Sequence, residues 1–187
     1  LDPVRSSLIQ YPDAKITGPA CIDFDPHALA ALLHLLPRDL PFHALSHHLY
    51  VDRRGAPENA QGPFDTVAKC ALLRAYARTH RFATDRLLIT EVNWPLLGTG
   101  PWSPVNSPYE TRDPRQNDPS GDEATYAAYM ARYLLLALAS GHVQRVYWWR
   151  LAARGFGLVD DSDPAAWRPR PAFAALQEML QQLDGAS

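Results

Sequence analysis

Hydrophobic and polar positions along this chain alternate between two periods, and the alternation itself predicts a fold. Four short apolar runs read as strands: Ala14 to Ala20, Phe42 to Val51, Leu87 to Thr90 and Val143 to Leu151. Between and after them apolar residues recur at helical spacing, over His27 to Leu36, from Asp65 or Thr66 to about His80, over Asp122 to Ala139 and over Pro171 to Leu183. Pro37 and Ser140-Gly141 supply stops, and Pro171 sits in a first helical turn, where proline is tolerated. In the second helix Val67, Cys70, Ala71, Leu73 and Ala77 form the expected inward stripe, and in the third Tyr126, Met130, Tyr133, Leu134, Ala137 and Leu138 do so. A strand followed by a helix, four times over, predicts an α/β fold with parallel strands. Leu87 to Thr90 reads as a strand buried on both faces, and Glu91 arrives where that run ends.

Two polar segments interrupt the pattern. Asp52 to Pro63 is rich in turn formers, and Gly98 to Gly121 is a long loop of Pro, Ser, Asn and Gly leaving the Glu91 strand. Residues 1–187 otherwise read as a single unit without repeats, low-complexity tracts or a linker.

Composition narrows the partners more than the fold. A net charge of -2, with 47% hydrophobic residues, describes an ordinary globular chain and supplies no basic face for nucleic acid or an anionic membrane. No apolar run is long enough to span a bilayer and no signal-peptide pattern is visible, so localisation stays open. Cys21 and Cys70 are expected as free thiols. His43, His47 and His48 make no i, i+4 helical pair and no carboxylate triad, so neither a metal site nor any other cofactor is expected. Five Trp and eight Tyr are a rich aromatic supply, suited to packing and to stacking on partly apolar sugar rings.

The candidate chemistry gathers at strand ends. A carboxylate at the C-terminal mouth of a parallel strand, here Glu91, stands where such folds keep their reactive groups. Asn93 shares its face by the period of two, and Trp94 follows. In the second strand Ser46, His48 and Tyr50 share one face. The pair Trp148-Trp149 must divide between faces, one of them packing against a helix.

Taken in order, these residues resemble the retaining glycoside hydrolases of clan A, families 5 and 39 in particular. Ile89-Thr90-Glu91 looks like the strand-seven segment carrying the catalytic nucleophile, and His48-Leu49-Tyr50 like the strand-six H-x-Y whose Tyr supports it. Trp149-Arg150-Leu151 is similar to the strand-eight W-S/T-L whose Trp floors a sugar subsite, with Arg150 where a small residue is usual. Phe156-Gly-Leu-Val-Asp160 followed by Arg170-Pro-Ala-Phe173 looks like the tail after strand eight.

The resemblance implies a (β/α)8 barrel of TIM type, of which this chain carries about four βα units, strands five to eight. It implies Glu91 as nucleophile, Tyr50 and His48 as its support, and Trp149, Trp148, Asn93 and Trp94 as contacts to an oligosaccharide, polysaccharide or glycoside. The acid/base Glu of such enzymes ends strand four, and Leu1 to Asp13 looks like the end of the helix after it, so that Glu is expected upstream of Leu1. A half-barrel exposes its inner sheet face and two edges, so association with the other half or with another copy is expected. The isolated chain is then expected to be inactive. The alternative is a non-catalytic carbohydrate-binding or assembly subunit on a degenerate half-barrel. A different hydrolase pairing Glu91 with Asp52 or Asp160 is a weaker third.

Overall fold

The four apolar runs become one parallel sheet in the order β1-β2-β3-β4, formed by Ile16–Cys21, Phe42–His47, Leu87–Val92 and Val143–Trp148. The computed structural model describes residues 6–7, 9–36, 42–51, 54–80, 82–97 and 121–184. Helices alternate with the strands: α1 (Pro26–Leu35), α2 (Thr66–Thr79), α3 (Glu123–Ala139) and α4 (Pro171–Asp184). The expected α/β fold with its parallel sheet is therefore present. A short antiparallel pair that the periodicity does not announce, β5 (Val159–Asp160) with β6 (Arg168–Pro169), lies between β4 and α4.

Local chemistry sets the helix starts. Asp25, Asp65 and Asp122 each stand in extended conformation at an N-cap and accept backbone N–H groups of the first turn, which would otherwise lack partners. One face of the sheet and the inward stripes of the helices then share a core of Leu45, Leu87, Ile89, Val92 and Val143 with Leu33, Leu73, Met130 and Tyr133. Each fully buried aliphatic side chain there contributes about 1.5–3 kcal/mol of transfer free energy.

Two expected stripe residues do not face inward. Val67 and Leu138 are exposed, because the buried rows run Thr66-Lys69-Cys70-Leu73-Ala77 and Tyr126-Met130-Tyr133-Leu134-Ala137. Lys69 takes an inward place instead, its ammonium 5.0 Å from the Phe24 ring centroid. Such a contact offsets part of the desolvation of a buried cation.

The second and fourth strands also end earlier than their hydrophobic patterns. β2 stops at His47, yet alternation outlives the ladder: Leu49 and Val51 are buried in the core while the His48 and Tyr50 side chains reach Glu91. Tyr133 fixes this extension from behind, donating to the Leu49 carbonyl at 2.5 Å.

β3 breaks its own period. Ile89 pairs with Val146 and Val92 with Trp148, so three steps on β3 match two on β4. That extra residue is a β-bulge, which reverses side-chain phase. Leu87, Ile89 and Val92 all join the core, whereas strict alternation would have sent Glu91 there with Leu87 and Ile89. The carboxylate is instead delivered to the side of the sheet where His48 and Tyr50 stand.

Gly98 to Gly121, expected as a long loop, lies outside the described residues except at Gly121. There the Leu97 N–H donates to the Gly121 carbonyl at 2.9 Å and the Gly121 N–H to the Pro95 carbonyl at 3.2 Å. Asp52 also lies outside them.

Candidate functional site

Glu91 receives support from two residues of the neighbouring β2 extension. The Tyr50 hydroxyl donates to Glu91 Oε1. His48 Nδ1 stands 3.5 Å from Glu91 Oε2, within ion-pair reach but beyond good hydrogen-bond geometry. Both side chains are mostly covered, with 22% of His48 and 23% of Glu91 left exposed. A carboxylate in this setting is oriented on one oxygen and still open on its other side.

Tyr50 is built to donate. Burial, and next the hydrogen bond to Glu91, push its phenol well above the ordinary tyrosine range, with Arg54 acting in the opposite direction. The hydroxyl therefore keeps its proton throughout the physiological range and presents it to the carboxylate. A neutral O–H donor facing an ionised acceptor makes a strong, directional hydrogen bond.

Arg54, in the turn after β2, was not singled out by the sequence pattern. Its guanidinium carbon lies 3.4 Å from the Tyr50 ring centroid. The same guanidinium donates through Nη1 to the Asn93 backbone oxygen at 2.6 Å and to Asn93 Oδ1 at 2.9 Å. Asn93, nearly buried, in turn donates from Nδ2 to the Trp149 carbonyl at 2.7 Å. Asn93 thus serves as a bracket between the ends of β3 and β4.

The aromatic candidates separate. Trp149, just past β4, is 44% exposed. Trp148 stacks on Trp94 with centroids 5.9 Å apart and planes within 19°, and its indole N–H donates to Tyr126 Oη at 2.8 Å. Trp94 is 1% exposed, edge-on to Tyr129 and Tyr133, with its N–H donated to the Gly55 carbonyl. Trp94 and Trp148, expected as substrate contacts, are placed as packing between sheet and α3. Trp94 is buried with its N–H occupied, and Trp148, partly buried, gives one face to Trp94 and its N–H to Tyr126. Of the three tryptophans, Trp149 has the open surface.

The segment after β4 is held by a buried cation. Arg170, 2% exposed, donates to the carbonyls of Ala153, Gly157 and Arg154 at 2.8, 2.7 and 2.6 Å, and reaches Glu123 and Asp160, each at 3.2 Å. Gly157 belongs to this packing, since a Cβ there would lie 2.2 Å from the Ala153 nitrogen. Asp160, also held by Ser162 and Arg168, is committed to this cluster rather than paired with Glu91.

The core side of the sheet carries one more unusual group. His47 is fully buried, its ring 6.2 Å from Phe24, and both its ring nitrogens lack hydrogen-bond partners. Burial above all, with the neighbouring Lys69 charge adding to it, lowers its pKa to about 4. It is a neutral core residue facing away from Glu91.

Among the described residues no group of three or more His, Cys, Asp and Glu side chains is placed to hold a metal ion, and no helix is long and apolar enough to cross a membrane. Cys21 and Cys70 are free thiols. No protein-family model matches this chain, and a search of curated proteins finds no match either.

Proposed function

We propose that this chain is the nucleophile-bearing half of a retaining glycoside hydrolase, its sheet corresponding to strands five to eight of a (β/α)8 barrel. The observation that carries this reading is the Tyr50–Glu91 hydrogen bond, with His48 beside it, at the C-terminal ends of adjacent parallel strands. A double-displacement mechanism needs one carboxylate that is ionised, held in a single rotamer and open towards an anomeric carbon. Glu91, held on one oxygen by Tyr50 and 23% exposed, suits that role, and Trp149 offers an exposed aromatic face on which a sugar ring would stack.

In the proposed reaction Glu91 attacks the anomeric carbon and forms a glycosyl ester. An acid/base carboxylate about 5–5.5 Å away first protonates the leaving oxygen and then deprotonates water. That second group is supplied by the half-barrel upstream, which also covers the open face of the sheet. The substrate is a glycoside, oligosaccharide or polysaccharide. Nucleic acid and membrane play no part in this proposal.

One observation favours a second reading. The exposed Trp149 ring also suits a non-catalytic carbohydrate-binding or assembly subunit on a degenerate half-barrel. Labelling of the protein, expressed with its upstream segment, by a panel of 2-deoxy-2-fluoroglycosides separates the two. A mass increase on the peptide containing Glu91, lost in Glu91→Gln, is the expected result. Turnover of any glycoside by Glu91→Gln at near wild-type rate would overturn the enzymatic reading, and saccharide binding without labelling would favour the second.

A further inference from the structure

Arg54 is tied into the site on three sides. Its guanidinium lies over the Tyr50 ring at 3.4 Å, while one nitrogen bonds both oxygens of Asn93, the residue that holds the Trp149 carbonyl. The backbone aims it there: Arg54 has φ 53, and its N–H donates at 3.0 Å to the carbonyl of Val51, itself anchored in the core. A non-glycine residue in this left-handed conformation is strained, and the bonds of its side chain to Asn93 offset that strain. The result links the ends of β2, β3 and β4 through one planar cation.

We infer that Arg54 is a positioning residue for the reaction, holding the Tyr50 ring against Glu91 and, through Asn93, fixing the end of β4 that presents Trp149. The inference rests on the glycosidase reading. Three separate strand ends must be brought into a shared geometry when Glu91 attacks. Side chains that are merely adjacent would tolerate displacements of about 1 Å, and errors of that size can lower a rate by about 10²-fold. A flat, forked guanidinium can stack on a ring and bond in its own plane at once, which an ammonium cannot do.

The test uses the protein with its upstream segment and a substrate found by the fluoroglycoside screen. Arg54→Ala is expected to lower kcat by about 30- to 100-fold while changing KM by less than about threefold. Free guanidinium ion should restore part of that loss in Arg54→Ala, and Arg54→Lys should retain an intermediate kcat that guanidinium does not improve. A kcat near wild type, or a loss in a folded variant that guanidinium leaves untouched, would overturn the inference. If Arg54→Ala does not fold, Arg54→Lys decides alone: lowered kcat with unchanged KM supports the role, and wild-type kcat removes it. The flip rate of the Tyr50 ring, measured by NMR, tells the two levels of failure apart. A ring that flips faster without Arg54 in a protein never labelled at Glu91 sinks the glycosidase reading alone. A ring whose flip rate is indifferent to Arg54 sinks this inference alone.

Discussion

Two polar clusters lie near the end of β4, and their chemistry is opposite. Around Arg170 every charge is answered: three backbone carbonyls and two carboxylates surround one buried guanidinium. Around Glu91 the compensation is partial: one neutral hydroxyl, one imidazole at 3.5 Å, and an edge left accessible. A buried charge with a complete set of partners fixes a segment and has nothing left to react with. A carboxylate that is oriented yet incompletely matched retains capacity for something that arrives from outside. On the proposed reading the Arg170 cluster is structural and the Glu91 cluster is the place for chemistry, although both contain arginine and acid in close company.

The comparison can be broken by mutation at either end. Glu91→Gln is expected to reduce turnover by the assembled protein by about 10³-fold or more, while its thermal unfolding changes little. A large loss of stability there would make Glu91 a structural residue like Arg170. Arg170→Met should do the reverse and destabilise the fold by about 3 kcal/mol or more, because the carbonyls of Ala153, Arg154 and Gly157 lose their common donor, while Glu123 and Asp160 keep Arg168. Denaturant unfolding of this variant at the wild-type midpoint would show that the cluster is not needed for the fold.

A third expectation concerns pH. His47 has a lowered folded-state pKa of about 4, against about 6.5 for an unfolded His, so the unfolded state binds the extra proton first. Its neutral burial supports the fold fully above pH about 6.5, and that support is lost as pH falls through about 4, up to about 3 kcal/mol. A His47→Leu variant should show a flatter decline in unfolding free energy over this range. An unchanged decline would assign the acid sensitivity to other groups. The smallest effect should come from Trp149→Ala, which is expected to weaken saccharide binding yet alter stability by less than about 1 kcal/mol, since the residue is 44% exposed. Calorimetric titration and thermal unfolding on the same sample check both halves.

The legible and illegible parts of this molecule differ for physical reasons. Periods of two and 3.6 survive in sequence because sheet and helix each bury one side, so the four βα units and most of the core could be read directly. The alternation Leu49, Tyr50, Val51 placed Tyr50 on the side of Glu91 even though the hydrogen-bonded ladder stops at His47. Arg54 was hidden in the run Asp52-Arg-Arg-Gly55, which as sequence is a polar turn. Its role depends on a left-handed backbone and a long side chain folding back over Tyr50, and neither leaves a periodic trace. Composition could not show that Trp94 is buried and stacked on a partly buried Trp148 while Trp149 is left open. Lys69 runs against its type, buried with a contact to Phe24 that offsets part of the cost.

The extra residue in β3 has a consequence for how this chain can vary. It works as a phase shifter between Ile89 and Val92, so residues upstream and downstream of it belong to different frames. Without that extra step, strict alternation from Ile89 would carry Glu91 into the hydrocarbon interior and turn Val92 out to solvent. Deleting Thr90 would restore regular pairing, with Glu91 and Val92 keeping their faces and Glu91 drawn one residue closer to Ile89. Residue count and bulge are therefore tied together at this point, and other drift in chain length has to be absorbed elsewhere, in segments where no frame is kept.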